Sequence, residues 1–244
     1  DSAMERGQKR DLFQSTRTEK VKPLDTLKMK APEFRKSGSP LLKIKKISQL
    51  DHDHKAKVYL QKRQILPSDH YKLYYAPKFN EWVNSIIPGK LPVLEKDSPR
   101  LIMPFIDKRG VLFGFNARAF GSSGLRYITI MLDDSMPKMF NLSDVDFSKK
   151  YYVTEGPIDS LFLSNAVAMA GADGNARGLE STENAVFIFD NEPRNKEIVA
   201  RMEKCLDRGF KICIFPEKII LNDINDMILS GMNKAEVELL IDMN

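Results

Sequence analysis

Residues 151–160 read Tyr151-Tyr152-Val153-Thr154-Glu155-Gly156-Pro157-Ile158-Asp159-Ser160. Four β-prone residues run into a carboxylate, a glycine and a proline. This predicts a strand over 151–154 and a helix over 157–165, because proline suits the first helical turn. Downstream the pattern repeats, with strands expected at 167–171, 185–189 and 211–215. A long helix is expected over 193–208, with Ile198, Met202, Cys205 and Leu206 on one face. Strands alternating with helices imply parallel pairing through right-handed crossovers. Residues 149–244 are therefore expected to form an α/β domain with a mainly parallel sheet and C-terminal helices.

Upstream the texture differs. Apolar residues at 101–106 and 111–115 flank the polar, glycine-ended turn 107–110, which predicts a β-hairpin, and 127–132 is a further strand. Leu41, Leu42, Ile44, Ile47, Ala56, Val58, Tyr59 and Leu60 give short helical patterns that stop at Pro67, and 71–75 is aromatic and strand-like. Residues 41–148 thus read as a mixed α/β N-terminal subdomain, and the fold class as α+β. Residues 1–40 hold Lys, Arg, Ser and Pro without apolar period and read as a flexible basic arm, with Asp1 to Ala3 ahead of Met4 as an expression scar.

The chain of 244 residues carries 38 Lys and Arg against 33 Asp and Glu. The net +5 hides a split: residues 1–100 hold 22 basic and 12 acidic residues (+10), and residues 101–244 hold 16 and 21 (−5). A basic half suits a polyanion, and an acidic half suits divalent cations. Much of the basic excess (Lys9, Arg10, Lys20, Lys22, Lys28 and Lys30 among it) lies in the arm. Two cysteines and three histidines have no zinc-ligand spacing, and nothing approaches the roughly 20 apolar residues of a membrane helix. A soluble, cytoplasmic, monomeric chain with no membrane partner is expected.

The carboxylates carry the chemistry. Glu155 directly follows one expected strand and Asp159 lies four residues on. Asp190 and Glu192 follow the third strand, and Asp223 and Asp226 follow the fourth. Taken singly, each is a helix cap or a solvated turn. Together they fall at the C-terminal ends of parallel strands, the edge where such sheets bind ligands. Six converging carboxylates repel one another unless cations neutralise them or some are protonated, and a divalent metal is the economical answer. An all-oxygen donor set favours Mg²⁺ or Mn²⁺.

Val153-Thr154-Glu155-Gly156-Pro157-Ile158-Asp159 resembles the EGxxD motif of the TOPRIM domain, found in DnaG-type primases, topoisomerases and some nucleases. Phe187-Ile188-Phe189-Asp190-Asn191-Glu192 resembles its DxD motif with Glu192 in place of the second Asp, and Asn222-Asp223-Ile224-Asn225-Asp226 resembles the third acidic cluster of primases. Upstream, Val58-Tyr59-Leu60-Gln61-Lys62-Arg63 is similar to the YLxxR segment opening the primase polymerase domain. Gly114-Phe115-Asn116-Ala117-Arg118 is similar to its G-F-x-x-R run, followed by Arg126-Tyr127 and Pro137-Lys138-Met139-Phe140. The likeness spans roughly residues 55–230, and its wording is nearest to primases of large T-even-type tailed phages.

The resemblance implies primer synthesis from nucleoside triphosphates on single-stranded DNA, giving an RNA primer, with a replicative helicase as partner. If the chain is phage-encoded, that work belongs to the host bacterial cytoplasm. It implies Glu155, Asp159, Asp190 and Glu192 as catalytic residues, and Glu155, Asp190, Glu192, Asp223 and Asp226 as ligands of Mg²⁺ or Mn²⁺. Arg63, Arg118, Arg126 and Lys138 would bind nucleotide and template, although each also fits a solvated surface position. A topoisomerase needs more domains than 244 residues hold. A metal-dependent nuclease and a noncatalytic single-strand-binding module both retain the same acidic motifs and stay open at this point. Trp82 with Tyr74, Tyr75 and Phe79 reads as core, His52 and His54 as surface, and 171–174 as a turn.

Overall fold

The computed structural model describes residues 38–121, 125–170, 179 and 182–244; residues 1–37 of the arm and the 171–174 turn lie outside them, while Ser39 and Pro40, expected in the arm, cap and open a 3₁₀ turn over Pro40–Lys43. Two five-stranded sheets organise the fold. The first holds β1 (Lys45–Lys46), β2 (Tyr74–Ala76), β3 (Arg100–Ile106), β4 (Leu112–Ala119) and β5 (Tyr127–Met131), antiparallel and in chain order. Helices α1 (Lys55–Lys62) and α2 (Phe79–Asn84) belong to this half. Asp107 closes the β3–β4 turn by accepting hydrogen bonds from the Arg109 and Val111 N–H groups, while Gly110 supplies a positive φ of 79°.

The second sheet runs β10 (Lys211–Cys213), β9 (Ala185–Ile188), β7 (Tyr151–Thr154), β8 (Ala166–Met169) and β6 (Met139–Phe140). All its pairings are parallel except that of β6 with β8. Helices α3 (Pro157–Ser160) and α4 (Lys196–Asp207) connect its strands, and α5 (Ile224–Leu229) and α6 (Lys234–Asp242) close the chain. No described helix is long and apolar enough to cross a membrane.

The strands show why the layers form. Along β3, Leu101, Met103 and Phe105 enter an apolar layer shared with Tyr152, Ala166, Ala168 and Ile188 of the second sheet, while Ile102 turns to the opposite layer with Phe79, Trp82 and Phe115. The period of two thus buries β3 on both faces, which is why its sequence is apolar without alternation. Tyr151 and Val153 of β7 point away from the shared layer, toward Ile198 and Cys205 of α4. Phe105 is fully buried in the shared layer. Phe105→Ala is expected to cost about 3–5 kcal/mol through lost transfer energy and a residual cavity, read as a lower urea midpoint at unchanged slope.

Several elements differ from the sequence expectation. The helix expected over 157–165 ends at Ser160. Leu161, Phe162 and Leu163 are all buried, and the chain continues there in i→i+3 turns, their N–H groups donating to the Ile158, Asp159 and Ser160 carbonyls. Residues 67–72 form a 3₁₀ turn begun by Pro67, leaving the strand only 74–76. Helix α4 starts at Lys196 because the Asn195 side chain caps it by accepting from the Glu197 N–H. Leu206 faces solvent, off the buried Ile198–Cys205 stripe. Trp82 is core, its indole donating to the Pro40 carbonyl, and His54 caps α1.

Candidate functional site

The acidic wall follows from strand pairing. Thr154 of β7 pairs with Ile188 of β9, so Glu155 and Asp190 emerge at the same sheet edge. Asn191 then fastens the next segment alongside: its side-chain amide donates to the carbonyls of Ile219 and Leu221 at 2.7 and 3.1 Å, and its N–H donates to Asn222. This places Asp223, which caps α5 by accepting from the Asp226 N–H at 2.7 Å. Asp159, in the first turn of α3, accepts from the Asn225 N–H at 3.0 Å. A Cβ at Gly156 would lie 2.5 Å from Asp159 Oδ2, so only glycine lets that carboxylate come so close to the backbone.

Glu155, Asp159, Asp190 and Asp223 line one side of a cleft of about 320 Å³. Glu192 and Asp226 do not line it. Glu192 accepts from the Asn195 amide at the approach to α4. Asp226 stands one position past Asn225, whose side chain takes the cleft-facing place. Both still add negative charge, Glu192 against Glu155 and Asp190, and Asp226 against Asp190.

Burial and mutual charge shift the wall strongly. Burial, then Asp190, lifts Glu155 to about 7; burial, then Asp223, lifts Asp159 to about 7 and Asp190 to about 6. Arg201 of α4 opposes this at Glu155, with its Nη2 2.9 Å from Oε1. The approach is an ion pair without hydrogen-bond alignment, and Oε1 is buried with no hydrogen-bond partner. Arg201 escaped the sequence reading because nothing local marks one arginine on a charged helix face.

The opposite side of the cleft is basic and aromatic. Arg63, Arg118, Arg126 and Tyr127 line it. The Arg118 guanidinium lies over the Tyr127 ring, 4.8 Å from its centroid, and at the hydroxyl end of Tyr59, 5.8 Å from that ring's centroid. The Tyr59 hydroxyl accepts from both Arg118 Nε and Arg63 Nε. Arg63 in turn donates to Asn225 Oδ1, and Asn225 Nδ2 donates back to the Arg63 carbonyl at 2.9 Å. Burial, together with Arg63 and Arg126, pulls the Arg118 pKa below its ordinary value. Three crowded cations are relieved by an anion. The same arginines face a second hollow of about 370 Å³ walled by Tyr59 and Phe120. Lys138 does not line the cleft; its side chain is exposed and its carbonyl accepts from the Ala170 N–H.

The wall suits a hard dication in donor chemistry: four oxygen-bearing side chains, among which the raised pKa values of Glu155, Asp159 and Asp190 reflect burial and a charge that a cation would relieve. Among the described residues no three such groups are already gathered at ligating distance. Without metal the repulsion destabilises the fold. A carboxyl whose folded pKa is raised contributes stability below its unfolded pKa near 4 and loses it as pH rises through 6 to 7. In metal-free buffer at pH 8, Asp190→Asn is therefore expected to raise stability by roughly 1–2 kcal/mol, seen as a higher melting midpoint, and the gain should vanish at pH 4.

No family model matches the chain. In sequence it is similar to the DNA primase of Enterobacteria phage T4, at 32% identity over 186 residues, covering 75% of this chain and 54% of that protein. The chain thus spans about half the length of that curated relative. In structure it is similar to the E. coli primase catalytic core (TM-score 0.59, 21% identity, 81% of this chain and 75% of that one). It is also similar to a DnaG primase catalytic domain bound to single-stranded DNA (TM-score 0.61, 19% identity, 83% and 75%). The Aquifex aeolicus primase matches with a TM-score of 0.56 at 19% identity, over 78% of this chain and 56% of that one. Likeness at such identity establishes a shared fold, with its mixed antiparallel and mainly parallel sheets. In sequence, then, the chain is similar to one DNA primase, and in fold to several primase catalytic domains.

Proposed function

We propose that the chain synthesises short RNA primers from nucleoside triphosphates on single-stranded DNA. One observation carries this reading: three arginines without carboxylate partners among the described residues face four carboxylates across a single cleft. Triphosphate transfer needs both signs of charge, one to hold the phosphates and one to hold the cations that accompany them.

Arg63, Arg118 and Arg126 bind the triphosphate, with Arg118 fixed by its two tyrosines so that little ordering is lost on binding. Asp190 and Asp223, with Glu155, are the residues to hold Mg²⁺ or Mn²⁺; Glu192 and Asp226 tune their charge from outside the cleft. Bound there, the metal supplies activation of the primer 3′-hydroxyl and stabilisation of the leaving pyrophosphate. Glu155 stands beside Asp190 in the cleft and is the base for the hydroxyl proton. Asp159, held by the Asn225 N–H, positions the α5 end and adds to the acidic wall.

The hollow between Tyr59 and Phe120 suits a template base, stacked on an aromatic face with its backbone against the arginines. In this reading residues 41–148 grip nucleic acid, residues 149–244 hold metal, and the arm adds salt-sensitive attraction. The chain works as a monomer in the cytoplasm, handed template by a replicative helicase. The test is incubation with single-stranded template, ribonucleotides and Mg²⁺ or Mn²⁺. Short RNA is the expected product. Template cleavage without synthesis would identify a nuclease, and binding with neither product a binding module.

A further inference from the structure

Asn116 lies in mid-strand on β4, 4% exposed, and it lines the cleft. Its Oδ1 is buried with no hydrogen-bond partner. The amide cannot turn round to satisfy that oxygen. Asn116 is directly opposite Thr129 on β5, and Nδ2 donates to Thr129 Oγ1 at 2.9 Å. The Thr129 hydroxyl has one proton and gives it to the Ala170 carbonyl at 3.1 Å. A carbonyl can only accept, so Thr129 must accept from Asn116, and the amide nitrogen is the atom that can donate. The relay fixes Oδ1 as an acceptor with nothing to accept from among the described residues.

Asn116 and Arg118 are two residues apart on one strand face, roughly 6.8 Å along it. That span is comparable to the one between a nucleotide's 5′-phosphate and the far edge of its ribose. With a phosphate on Arg118, Oδ1 therefore faces the sugar. The donor it needs must be common to all four nucleotides, because a template-directed site has to accept each base. Base amino groups fail this condition and ribose hydroxyls meet it. The 3′-hydroxyl is present in deoxynucleotides too, so the hydroxyl that an acceptor here can use for selection is the 2′.

We propose that the Asn116 side-chain oxygen, locked by Thr129 and the Ala170 carbonyl, accepts a hydrogen bond from the 2′-hydroxyl of the incoming nucleotide and selects ribonucleotides over deoxyribonucleotides. The inference rests on the nucleotide-binding reading of the cleft. Asn116 is then a specificity residue, and Thr129 positions it.

The test compares ATP, 2′-deoxyATP and 3′-deoxyATP on the whole chain with Mg²⁺, by calorimetric binding and by incorporation on single-stranded template. Wild type is expected to favour ATP over 2′-deoxyATP about tenfold, and Asn116→Ala to bring the ratio near one by weakening ATP while leaving 2′-deoxyATP unchanged. Thr129→Val, which keeps the volume and removes the relay, should lower the ratio about threefold. It decides the matter if Asn116→Ala fails to fold in a thermal melt. An unchanged ratio in both variants, equal loss of ATP and 2′-deoxyATP, or the same pattern with 3′-deoxyATP overturns the proposal. Should wild type bind nucleotides but make no RNA, the primase reading falls while the binding ratio still tests Asn116.

Discussion

Asp190→Ala is expected to abolish the proposed primer synthesis, by a factor of at least about 10³, while single-stranded DNA binding should stay within about twofold. Asp190 is the carboxylate that meets most of the negative field: Asp223, Glu192 and Asp226 all raise its pKa, after burial. A dication placed in that field gains most from this group, and no neighbour can substitute without moving backbone. Asp223 and Asp159 each already give Oδ1 to a backbone N–H, so neither can take over both the position and the oxygens of Asp190. The arginine side of the cleft lies across from Asp190 and is untouched, so the polyanion grip persists. Primer synthesis on a gel and fluorescence anisotropy of labelled DNA separate the two effects. Retained synthesis would remove Asp190 from the metal site.

Arg118→Ala has the second largest effect: the apparent KM for nucleoside triphosphate rises about 30- to 100-fold, and Arg118→Lys does not restore it. The guanidinium is planar, lies over the Tyr127 ring, and donates through Nε to the Tyr59 hydroxyl. An ammonium can neither lay a flat face on a ring nor offer two parallel donors to a phosphate. The loss corresponds to about 2–3 kcal/mol, in the range of a buried charge-assisted contact. Steady-state kinetics with varied nucleotide checks the KM, and a thermal melt confirms that the variant is folded. A lysine variant with wild-type KM would show that only the charge matters.

Most of the second sheet, and the β3–β4 hairpin of the first, could be read from the chain because their signals are local. A β-prone run ending in Glu155-Gly156-Pro157 punctuates itself, and the 107–110 turn declares its hairpin through Asp107 and Gly110. Extents were less legible where burial overrode pattern, as at Leu161–Leu163, and where a strand has two residues, as in β1 and β6. Within the site, strand ends announced Glu155 and Asp190. Choosing between Asn225 and Asp226 required the helix cap, since Asp223 fixes which of the following residues faces the cleft. Asn116, Thr129 and Arg201 matter through partners 13 to 46 positions away, a separation at which pattern carries no signal.

The apolar layer shared by the two sheets bears on how substrates come and go. Phe105, Phe113, Phe140 and Phe162 all lie within it. Swinging the sheets apart would wet those rings at about 2–3 kcal/mol each, an outlay comparable with the whole stability of a domain this size. The cleft therefore does not breathe by hinge motion. With the two sheets held as one body, turnover should depend little on solvent viscosity, and crystals of the chain should take up nucleotides by soaking without cracking.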